Sequence, residues 1–71
     1  MEKSKVNVLY ANRDGRDEFI CKCRDKDTAE RRTEFLEQQN VWPVGHDAVF
    51  YDAQGTAWLY LSPGKWELAQ L

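Results

Sequence analysis

The chain has 71 residues, with 42% hydrophobic and 31% charged, and a formal net charge of −2. This describes one small globular domain spanning residues 1–71, with residues 1–5 and the last few frayed, and not a disordered tail. The acidic balance counts against a general nucleic-acid binder, whose affinity comes from Lys and Arg on phosphate, and no apolar run approaches the ~20 residues that cross a bilayer.

Met1–Tyr10 lacks the apolar core and small-residue cleavage site of a secretory signal, so a cytoplasmic, membrane-free protein is expected. VNVLYA (6–11) predicts a first strand and EFICKCR (18–24) a second, joined through Asn12-Arg13-Asp14-Gly15. A four-residue connection ending in Gly favours a turn with a glycine bulge. That register sets Asn12 opposite Arg16. It groups Leu9, Phe19, Cys21 and Cys23 on one face, and Val6, Val8, Tyr10, Ile20 and Lys22 on the other. The cysteines are two apart, where a disulfide would be strained, so reduced buried thiols are expected.

Asp27 followed by Glu30 predicts a helix start through a capping-box pattern, and Asn40 predicts its stop. Helical spacing puts Ala29, Arg32, Phe35, Leu36 and Gln39 on one side. It puts the carboxylates Asp27, Glu30, Glu34 and Glu37 on the other. Trp42-Pro43 closes the helix, with Trp42 expected to plug one end of the core. AVFYDAQGTAWLYL (48–61) is then the clearest hairpin, carrying four of the nine aromatic residues. Its Asp52–Gly55 turn sets Phe50 opposite Trp58. It leaves Ala48, Phe50, Trp58 and Tyr60 on one face and Val49, Tyr51, Ala57, Leu59 and Leu61 on the other. The tail KWELAQL forms a further strand or one helical turn, anchored by Trp66 and Leu68.

The expected fold is α+β, in the order ββαββ: a single antiparallel sheet of about four strands with one helix packed on one face. One helix cannot cover both faces. Phe50, Trp58 and Tyr60 therefore either fill the core or form a ligand surface, and the sequence leaves both open. The acidic side of the helix is a second candidate partner surface, set against the usual solvated helix face. Cys21, Cys23 and His46, with Asp47, lack the ligand number and spacing of a closed zinc site. No nucleophile motif surrounds either Cys and no phosphate-binding glycine loop is present, so catalytic residues, metal and cofactor are not expected. In size and composition the chain resembles the small proteins of phages and other mobile elements, many of which bind a host protein. A non-enzymatic protein-interaction module is expected, in its most concrete form an inhibitor or modulator of a host protein, with a homodimer as another version. The alternative is nucleic-acid binding by base stacking on Phe50, Trp58 and Tyr60 beside Arg16, Lys22 and Arg24.

Overall fold

The computed structural model describes residues 5–69. Chain order is β1 (Val8–Arg13), β2 (Arg16–Lys22), α1 (Lys26–Gln38), β3 (Asp47–Tyr51), β4 (Ala57–Ser62) and β5 (Lys65–Leu68). All pairings are antiparallel, and the sheet order is β2-β1-β3-β4-β5. The α+β class and the single sheet with one helix hold, but there are five strands, not four. The extra strand is KWEL. Ser62 pairs with Lys65 across Pro63-Gly64, with Gly64 at φ 79°. Proline fixes the first corner and glycine accepts the positive φ of the second, so the chain reverses and adds an edge strand.

The first hairpin is tighter than expected. Arg13 pairs with Arg16, so only Asp14 (φ 54°) and Gly15 (φ 81°) form the turn. Two left-handed residues make the type I′ geometry whose twist matches the strands, and aspartate tolerates that region better than most residues. Asn12 therefore faces Asp17 and Tyr10 faces Phe19, followed by an irregularity that sets Leu9 opposite Cys21. A one-residue change of register moves side chains to the other face. Phe19 thus joins Tyr10 instead of Leu9, while Ile20 and Cys21 pack against the core.

The closing hairpin has the expected register, with Phe50 opposite Trp58. Asp52 holds its turn: Oδ1 accepts from the Gln54 and Thr56 amides and Oδ2 from Trp58 Nε1. These donors, Trp58 first, keep the Asp52 carboxyl below the usual carboxylate range.

The helix begins two residues earlier than predicted. Asp25 is the N-cap, its Oδ1 accepting from Thr28 N at 2.9 Å, and Asp27 lies in the first turn. Its end is as expected. Asn40 takes φ 60°, with Asn40 N donating to Glu37 O and Val41 N to Leu36 O. That pair of bonds is a Schellman cap. The helix lies closest over β3. Of the predicted stripe Ala29 is fully buried, joined by Thr33, whereas Arg32 is exposed and Phe35 is 51% exposed. Two small residues let the helix backbone approach the sheet, and burial leaves no orphan on Thr33, whose hydroxyl donates to Ala29 O at 2.8 Å.

The core beneath the helix consists of Leu9, Cys23, Ala29, Ala48 and Phe50, closed by Trp42, Trp58, Tyr60 and Trp66. Trp42 takes the predicted plugging position, with Nε1 donating to His46 O.

Candidate functional site

Phe50, Trp58 and Tyr60 face the helix. Phe50 is 1% exposed, and Trp58 and Tyr60 are half-buried around it. Of the two arrangements open to the sequence, the core arrangement is the one adopted. Lys26 Nζ lies 3.8 Å from the centre of the Trp58 ring, a further cover on that side. Tyr60 OH donates to Glu34 Oε2, and burial followed by this carboxylate pushes the phenol up to about 12.

The opposite face carries the aromatic surface that the sequence reading missed. Register defines one row of side chains crossing all five strands, Phe19–Tyr10–Val49–Leu59–Glu67. A second row runs Lys22–Val8–Tyr51–Ala57. The side chains shield one another at the centre, where Val49 and Tyr51 are buried, but Phe19 at the edge is 55% exposed. Tyr10 packs edge-on against both Phe19 and Tyr51, at ring separations of 6.0 and 5.5 Å.

Toward the β2 edge of this face is a polar cluster built on Asp17. Its Oδ2 accepts from Lys5 Nζ at 2.6 Å and from Tyr51 OH at 3.2 Å, and its Oδ1 accepts from Asn12 Nδ2 at 2.7 Å. Lys5 Nζ also stands 4.7 Å from the Tyr10 ring centre and 5.3 Å from that of Tyr51. Burial alone would raise the Asp17 pKa, but the Lys5 and Asn12 hydrogen bonds outweigh it and hold the carboxyl below its ordinary value. Lys5 is raised, first by its bond to Asp17. Tyr51 is raised by its burial and by the neighbouring carboxylate. The Lys5 end of the predicted frayed segment is therefore held, whereas residues 1–4 and 70–71 lie outside the described residues. What delivers Lys5 is Asn7, at φ 53°, whose N donates to Asp52 O and whose O accepts from Cys23 N.

The other candidates are dispersed. Glu30 Oε1 accepts from Gly64 N at 2.9 Å and Glu34 from Tyr60, so half the acidic ridge binds the sheet and Asp27 and Glu37 remain exposed. Arg16 and Lys22 stand at opposite ends of β2, about 20 Å apart at strand rise, and Arg24 lies beside Asp25. Cys21 and Cys23 are free thiols with sulfurs 3.6 Å apart. Burial, then Cys21, pushes the Cys23 thiol up to about 12, the opposite of what a nucleophile requires. His46 sits at the other end of the sheet, its Nδ1 on Val44 O. It borders an open cleft of about 350 Å³ with Thr33, Tyr60 and Ser62. Among the described residues no hydrogen bond joins His46 to any of these three hydroxyl residues, and no three His, Cys, Asp or Glu side chains cluster as a metal site. No helix among them is long and apolar enough to cross a membrane.

Comparison of the chain with protein-family models, with curated proteins and with solved structures finds no match.

The signal for the missed face was present in Asp14-Gly15. Read as a two-residue type I′ turn, that pair places Phe19 beside Tyr10. Strand alternation already set Tyr51 and Leu59 on the side away from Phe50.

Proposed function

We propose that this chain is a non-enzymatic protein-interaction module whose contact surface is the sheet face the helix leaves bare. The observation that carries this reading is the apolar row Phe19–Tyr10–Val49–Leu59, which ends in a phenylalanine 55% exposed at the β2 edge. Val49 is buried and Tyr10 and Leu59 are half-buried in that row, so Phe19 is its exposed member, and a large aromatic side chain left uncovered beside further apolar residues is the kind of group that anchors interfaces. Asp17, Asp47 and Glu67 share the face with Lys5 and Lys22, a mixed charge that suits a protein better than a phosphate backbone. An inhibitor or modulator of a host protein, carried by a phage or mobile element, is the concrete form of the proposal.

The test is affinity capture from a bacterial lysate with four versions of the full chain: wild type, Phe19→Asp, Leu59→Asp and, as a control on the helix surface, Arg31→Ala. A partner held by wild type and Arg31→Ala but lost by both face variants is the expected result. Equal capture by all four defeats the reading. Sedimentation at high concentration identifies a second copy of the chain as the partner if a wild-type dimer is broken by Leu59→Asp. Low-salt binding of labelled single-stranded oligonucleotides, lost in Phe19→Asp, would replace the protein reading with the nucleic-acid one.

A further inference from the structure

The group gathered around Lys5 has the make-up of a receptor for an ammonium ion. Two tyrosine rings present their π faces to Nζ at 4.7 and 5.3 Å, and a carboxylate meets it at 2.6 Å. Each wall is fixed independently of Lys5. Asn12 and the Tyr51 hydroxyl both donate to Asp17, and Phe19 braces Tyr10 edge-on. The Asp17 side chain is only 13% exposed, whereas that of Lys5 is 42% exposed. The receptor is thus built into β1, β2 and β3, and its occupant arrives from the segment ahead of β1. Cation–π attraction and a charge-assisted hydrogen bond are the two interactions by which proteins select alkylammonium groups.

We infer that the Tyr10–Tyr51–Asp17 cage is a lysine-recognition site on the binding face, occupied in the free protein by the chain's own Lys5 and open to a partner's lysine side chain when Lys5 leaves. The inference rests on the proposed use of this face and deepens it. Lys5 is an internal competitor that lowers the apparent affinity by the fraction of time it fills the cage. The short contact to Asp17 needs an N–H donor, so the cage selects an ammonium bearing hydrogens over a trimethylated one.

The test is a titration of Lys5→Ala full chain with Nα-acetyl-lysine amide at constant ionic strength, following amide resonances of Tyr10, Asp17, Tyr51 and the Asn12 side chain. Saturable shifts with a Kd on the order of 1–10 mM are expected, the range for one charged hydrogen bond with two weak cation–π contacts. Wild type should bind about twofold more weakly, because a tethered competitor at millimolar effective concentration fills a millimolar site about half the time. Adding Asp17→Asn, or using the Nε-trimethyl analogue, should each weaken binding at least tenfold. A folded Lys5→Ala chain with no saturable shift beyond a salt control overturns the inference. Should that variant not fold, wild type is titrated instead while observing Lys5 Nζ. Displacement moves that resonance, and an unmoved resonance overturns the inference equally. Leu59→Asp separates this result from the broader proposal, because it removes an apolar contact on β4, outside the three strands that build the cage, while leaving every cage residue in place.

Discussion

Which aromatic residues hold the fold together is decided by truncating one ring from each face. Phe50 is 1% exposed and packs edge-on to Trp66 at 6.3 Å, whereas Phe19 is 55% exposed. Phe50→Ala loses the transfer energy of the whole ring and leaves a cavity under the helix, a destabilisation of about 3–5 kcal/mol. Phe19→Ala uncovers less than half a ring and leaves no enclosed cavity, so about 1 kcal/mol is expected. A 71-residue domain has a total stability of roughly 4–11 kcal/mol at typical per-residue values, so the first variant removes a large part of it. In urea unfolding followed by tryptophan fluorescence, a slope of about 1 kcal/mol/M converts these to midpoint shifts of about 3 M or more and about 1 M. If Phe50→Ala leaves no folded baseline, Phe50→Leu, at about 1–1.5 kcal/mol, restores a measurable transition. Equal shifts for Phe19→Ala and Phe50→Ala, or a larger one for Phe19→Ala, would refute the assignment of faces and with it the choice of binding surface.

Three further outcomes follow from named contacts. The Asp17 pKa is depressed, so its stabilisation is complete above the ordinary carboxylate value near ~4 and is lost as pH falls through the lower folded value. Acid unfolding monitored by circular dichroism should therefore show a loss below about pH 4 that is reduced in Asp17→Asn; an unchanged acid limb in that variant contradicts the cluster. Lys5 has the reverse sign: its raised pKa makes its contribution complete below the ordinary lysine value and lost as pH rises through the raised one. The Tyr60 phenol should ionise only at about 12 in an absorbance titration, and at lower pH in Glu34→Gln. No difference between the two titrations would mean that Glu34 points to solvent. Asn40 at φ 60° predicts that Asn40→Ala costs about 1 kcal/mol while Asn40→Gly is neutral or stabilising, read from thermal midpoints.

Turn chemistry was the most legible part of the sequence, and where it was read loosely the faces came out wrong. Asp52–Gly55 gave the Phe50–Trp58 register because one aspartate can satisfy the turn amides and the indole at once. Asn40 was readable as a stop because few residues accept a left-handed backbone there. Asp14-Gly15 resembles the same pattern in one dimension. With aspartate next to the glycine, however, both can take positive φ, and the turn shortens to two residues. That difference alone carries Phe19 from the helix side to the open side. The Lys5 cluster was not legible, because it joins residues 5, 10, 17 and 51 through tertiary geometry that no local pattern encodes.

The orientation of the helix exposes a limit of apolar periodicity itself. A stripe through Arg32 and Phe35 is hydrophobic only in part, so burying it would mean desolvating a guanidinium. The rotated helix keeps Ala29 of that stripe buried, adds Thr33, and turns Lys26, Glu30 and Glu34 toward β4 and β5. The β4–β5 hairpin meets each of them with a complementary group: the Trp58 ring for the ammonium, the Gly64 amide and the Tyr60 hydroxyl for the carboxylates. Each such contact is worth only about 1 kcal/mol, but none strands a buried charge. The helix is thus attached through small residues and polar contacts. The acidic residues that looked like a partner surface are, in the case of Glu30 and Glu34, the means by which one face of the sheet is closed. The other face has no such cover, and Phe19 remains 55% exposed there.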